Sequence, residues 1–178
     1  MIHEINYFPN LSLDKKADGH GFKVKWYSRH LIAMEEPSLL DDCNDPYIHI
    51  YRFLWLRTFH QPIGTRLQIR PQYKEVITLK VLSGQGGFDP GELCIQRAIE
   101  VNSDRVYSFL DAIDNLGFWE LPGSDPNRLG LDGSEWILEG VHAGRYHVVD
   151  RWSPLDGSFS EVCLMLVDFS QFEVDEIY

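Results

Sequence analysis

The run Tyr47 to Phe59, YIHIYRFLWLRTF, constrains the fold more than any other stretch of this chain. Its β-branched and aromatic content favours an extended strand. Alternation puts Ile48, Ile50, Leu54 and Leu56 on one face and His49, Tyr51, Phe53 and Trp55 on the other. Both faces are apolar enough to need cover, so the strand belongs inside a sheet, with a layer on each side or a helix on one and a loop or partner on the other. A chain of 178 residues can supply that cover, since a domain of this size buries roughly 70% of the surface its unfolded chain exposes.

Further strands are expected at Phe22–Ala33, Thr65–Arg70, Lys74–Leu82, Leu93–Val101, Glu135–Val141 and Tyr146–Trp152. In the first of these, Val24, Trp26, Ser28, His30 and Ile32 share one face. Two helices are expected. One runs from Asn102 to Gly117 with Ser103 as cap and Val106, Phe109, Leu110, Ile113 and Leu116 at helical spacing. The other starts from a capping box at Ser158 and Glu161 and carries Val162, Met165, Leu166 and Phe169. The fold class that follows is α+β, a mainly antiparallel sheet of roughly six or seven strands with two helices packed on one face. A single domain over residues 1–178 is expected, with 1–21 an irregular N-terminal arm pinned by Ile5, Tyr7, Phe8 and Leu11. The Gly-rich stretch Ser83 to Glu92 is expected to be a flexible hairpin loop.

The most polar-aromatic stretch is Asp132 to Pro154, which holds two of the five tryptophans and two of the seven histidines. Its two strands meet at Ala143-Gly144, and so short a connection demands antiparallel pairing. Pairing symmetric about that turn sets Trp136 against Arg151, Leu138 against Val149 and Gly140 against His147, with His142 beside Arg145. Ile137, Glu139, Val141, Tyr146, Val148, Asp150 and Trp152 then occupy the other face.

The formal charge of -11 argues against a nucleic-acid binder, which needs a basic patch to displace counterions. It fits a basic protein partner drawn in by electrostatic steering. Cys43, Cys94 and Cys163 form no C-x-x-C pair, so neither a zinc knuckle nor a disulfide framework is expected, and Cys94 and Cys163 read as buried, inert thiols. The first residues show no basic start followed by an apolar run, and no window approaches the roughly 18 apolar residues of a membrane span. A cytoplasmic protein without a membrane partner is the expectation. A G-x-S-x-G elbow and a Gly-Lys-Ser/Thr phosphate loop are both missing. No cofactor is expected, and no metal, because His142, His147 and Asp150 lack a ligand-like spacing.

The segments FWELP, LDGSEWILEG and GRYHVVDRWSP, between Phe118 and Pro154, resemble a group of uncharacterised bacterial proteins. That group shares a D-G-x-x-W-x-L-E element followed by Y-H-x-V-x-R-W-S-P. The resemblance implies a bacterial cytoplasmic protein and carries no activity, substrate or catalytic residue.

The expected function is non-enzymatic binding, with Trp136, His142, Arg145, His147 and Arg151 as the binding set and an immunity-type protein that neutralises a toxin as its concrete form. Two alternatives stand beside it. A small-molecule hydrolase would use His147 as proton carrier with Glu139 and Arg151. A self-associating structural protein would bury an apolar sheet face or edge between copies.

Overall fold

The structure, a computed structural model, describes residues 6–9, 12–13, 20–125, 130, 132–154 and 157–178. Six strands form one sheet: β1 (His49–Arg57), β2 (Ile63–Ile69), β3 (Val76–Leu82), β4 (Leu93–Glu100), β5 (Ser134–His142) and β6 (Arg145–Trp152). Their order is β4-β3-β2-β1-β5-β6, and every pairing is antiparallel. The α+β class, the antiparallel sheet and the interior place of the Tyr47–Phe59 strand are as expected.

Helices α2 (Ser103–Leu116) and α3 (Ser158–Phe169) cover one face of the sheet. Tyr51, Phe53 and Trp55 of β1 meet Phe109 and Ile113 of α2 and Val162, Leu166 and Phe169 of α3 in the larger of the buried apolar clusters. The caps differ from expectation. Asn102 rather than Ser103 caps α2, its side chain accepting from the Asp104 amide at 2.8 Å, while left-handed Gly117 closes the other end. Gly157 precedes α3 without a side-chain cap, so the Ser158–Glu161 capping box is not formed.

The largest departure is at Phe22–Ala33, expected as a strand and observed as helix α1 (His20–Ala33). A strand would group Trp26, His30 and Ile32 on one face, but the residues buried are Tyr27, His30, Leu31 and Met34. That spacing is helical, and it leaves Phe22 and Ile32 in solvent. Met34 packs so closely on β2 that a side chain at Gly64 would strike its sulfur. Helix α1 covers the second sheet face, where Tyr27 and Leu31 join Leu54, Leu56, Ile137 and Val148. Tyr7 and Phe8 are buried in the same cluster, as the pinned arm requires, while Ile5 and Leu11 lie outside the described residues.

The Ser83–Glu92 loop is tied down rather than flexible. The Gly86 amide donates to the Arg57 and His60 carbonyls and the Gly87 amide to Thr58, while Trp26 of α1 donates to the Gly86 carbonyl at 3.0 Å. A β-carbon at Gly86 would lie 2.6 Å from the Arg57 backbone, so glycine there serves close approach to the end of β1.

Candidate functional site

The β5–β6 hairpin has the register its symmetry implied: Trp136 opposite Arg151, Gly140 opposite His147 and His142 opposite Arg145. Ala143 and Gly144 both have positive φ, 49° and 76°, the backbone of a type I′ turn. The expected binding residues therefore share a face, but they do not share a site. Trp136 is fully buried against Phe53 and Trp55, and its indole donates to Ser134 Oγ at 2.7 Å. It belongs to the core because the facing β1 positions are aromatic, and no partner can reach it.

His147 donates from Nε2 to the Leu121 carbonyl at 3.0 Å and lies edge-on to Phe118. Burial, reinforced by Arg145 and Arg151, holds its pKa below the usual imidazole value. Arg151 donates to the Pro122 carbonyl at 2.9 Å. These two side chains fasten the connection after α2 to the outer strand. Arg145 sits over the Trp119 ring, 5.1 Å from its centroid, and 3.9 Å from Glu120. His142 lies against His49 of β1, with ring centroids 3.7 Å apart and the rings tilted by 37°.

Glu139, expected with His147 and Arg151 in the hydrolase alternative, stands on the opposite face of the sheet, so the three do not converge. Its carboxylate receives both prongs of the buried Arg52 guanidinium, at 2.7 and 2.9 Å, and the Tyr146 hydroxyl at 2.8 Å. Arg52 also donates to the Pro37 carbonyl at 2.7 Å and approaches Glu36, which is held in turn by Arg66 at 2.9 Å and Lys80 at 3.2 Å. This is a closed, buried ionic layer joining the chain after α1 to the four strands that carry Arg52, Arg66, Lys80 and Glu139.

A second group of acids lies under α1. Lys23 donates to Asp150 Oδ2 at 2.6 Å and lies 3.5 Å from Glu135, and the buried Tyr27 hydroxyl donates to Asp150 at 3.0 Å. Burial pushes the Glu135 carboxyl up to about 7; the charge of Asp150 adds to that rise and Lys23 opposes it. An acid raised in the fold contributes stability in full below its unfolded value and loses it as pH rises through about 7. Glu135→Gln, a mimic of the neutral acid, should therefore match the parent at about pH 4 and become the more stable of the two above about pH 8. Urea unfolding of both proteins across that range checks this, and parallel curves would remove the buried acid as its cause.

Among the described residues no three His, Cys, Asp or Glu side chains are grouped to hold a metal, and Asp150 faces away from His147. Cys163 is buried as expected; Cys94 is exposed because β4 is a sheet edge. No helix among the described residues is long and apolar enough to cross a membrane.

The ends of the hairpin stretch, rather than its tip, border an open cavity of about 400 Å³. Asp132, Gly133 and Ser153 form one side; Phe59 and His60, just past β1, and Glu176 and Tyr178 form the other. The Tyr178 hydroxyl is 2.6 Å from His60 Nδ1, Glu176 lies 3.6 Å from Nε2, and the Tyr178 carbonyl accepts from Trp136 at 3.1 Å. Ser153 takes a φ of 41° and accepts from the Ser134 amide at 2.9 Å. Phe59 and Phe88 stand beside it, 52% and 58% exposed, with ring centroids 6.2 Å apart. Sequence reading missed this site, because the ladder between β1 and β5 brings together residues far apart in the chain.

Comparison with protein-family models and with curated proteins finds no match.

Proposed function

We propose that this is a non-enzymatic binding protein of the bacterial cytoplasm that engages a basic protein partner, an immunity-type protein neutralising a toxin being its concrete form. The observation that carries the reading is the exposed Phe59–Phe88 pair beside Asp132 and Glu176 on a chain of net charge -11. Aromatic side chains supply interface area at low entropic cost, and the surrounding negative field steers a basic partner and sets its orientation. The engagement of His147 and Arg151 by backbone carbonyls, and of Glu139 by Arg52, weighs against the hydrolase alternative.

Affinity capture with the intact protein, followed by elution in rising salt, tests the proposal. A stoichiometric basic protein released at elevated ionic strength is expected. Recovery of no stable partner, or of one whose retention is indifferent to salt and to Phe59→Ala with Phe88→Ala, would sink it.

A further inference from the structure

We infer that the cavity between Phe59, Asp132 and Tyr178 receives an arginine side chain of a basic protein. The inference rests on the binding reading above and names the group that would be recognised. Two carboxylates, Asp132 and Glu176, border the cavity, and among the described residues none that lines it is lysine or arginine. Both acids are exposed at the rim, so they meet an incoming cation without first being stripped of a buried partner.

The apolar part of the wall is aromatic. Phe59 and Tyr178 present rings there, and Phe88 extends the surface outward. A planar guanidinium stacks on such rings while its N–H groups reach carboxylates and carbonyls, a combination an ammonium matches less well. The volume, about 400 Å³, suits one long side chain.

The chain accommodates its own Arg57 in the same manner immediately beneath. The Arg57 guanidinium lies 4.9 Å from the Trp55 ring centroid and donates to the carbonyls of Glu176 at 3.0 Å and Gln61 at 3.4 Å. The segment carrying Glu176 is thus anchored from below. Its side chain, 65% exposed, remains on the cavity side near His60.

The cavity is also preset. His60 is oriented by the Tyr178 hydroxyl, and the Tyr178 carbonyl accepts from Ser134 Oγ and the Trp136 indole. A β-carbon on Gly133 would sit 2.5 Å from Ser153 Oγ and 2.7 Å from the Trp152 ring, so the backbone there is packed directly against those two side chains.

The experiment is amide NMR on the full chain, titrated with N-acetyl-arginine amide, with the uncharged isostere N-acetyl-citrulline amide, and with a short alternating Arg-Gly peptide. Arginine amide is expected to shift Gly133, Ser153, His60 and Tyr178 with millimolar affinity, and the peptide to bind more tightly at the same residues. Asp132→Asn with Glu176→Gln, both at exposed positions, should weaken each by about tenfold or more while leaving the remaining spectrum in place. Equal binding of citrulline amide, or arginine binding unmoved by the double substitution, overturns the inference. Peptide binding elsewhere on the surface also overturns it while leaving the basic-partner reading standing. Arginine amide and peptide binding in the cavity, in a protein that captures no basic partner, would instead retain the pocket and remove that reading.

Discussion

Glu139→Leu is expected to destabilise the protein by about 3–5 kcal/mol, the cost of leaving a buried guanidinium without its anion. Arg52 is closed off from solvent and, among the described residues, has no second carboxylate at bidentate range; Glu36, 3.5 Å away, is already shared with Arg66 and Lys80. At about 2–4 °C per kcal/mol for a chain of this size, the melting temperature should fall by about 10 °C. Arg52→Met alone should cost a similar amount, because it strands Glu139 with only the Tyr146 hydroxyl. Combining the two should recover much of the loss, since a matched apolar pair removes both charges together. Urea unfolding of the four proteins closes the double-mutant cycle. Additive losses would mean that the two side chains act independently, contrary to their geometry.

Trp136→Ala should cost about 3–5 kcal/mol, as expected for emptying a buried aromatic site. The indole lies 4.8 Å from the Trp55 ring and 5.2 Å from Phe53, and its N–H holds Ser134 Oγ and the Tyr178 carbonyl. The loss should therefore extend to the terminal segment, with faster amide exchange at Glu176 to Tyr178. A variant of unchanged stability that had lost partner binding would instead restore Trp136 to the interface.

Much of this fold was legible from local pattern. Helix α2 announced itself through Val106, Phe109 and Ile113 before a glycine, and the register of the hairpin followed from the two-residue turn. The identity of the first element was not. Phe22 to Ala33 contains apolar residues at both strand and helix spacing, and the sheet face that chose between them is built from β1, β5 and β6, all downstream. A clue to the ionic layer was present: Arg52 interrupts the apolar series Ile50, Leu54 and Leu56, just as Glu139 interrupts Ile137 and Val141. A lone cation on the apolar β1 face implies an anion among its neighbours, and the β1–β5 ladder sets Arg52 directly opposite Glu139. The cavity gave no such sign. Phe59, His60, Glu176 and Tyr178 belong to segments without periodicity, and only tertiary packing assembles them.

The strand order also governs how the molecule comes together over time. β1 to β4 are joined by successive antiparallel neighbours, and β5 with β6 forms a separate hairpin, so each unit closes only short loops. Joining them requires the β1–β5 ladder, whose partners lie at residues 49–57 and 134–142 and must await the largest loop closure in the sheet. During synthesis the four-strand unit and α2 therefore emerge with Phe53 and Trp55 lacking their Trp136 contacts and the β1 edge unpaired until β5 and α3 follow. That interval is when the chain is most open to misassociation, and slower elongation beyond Leu116 would prolong it.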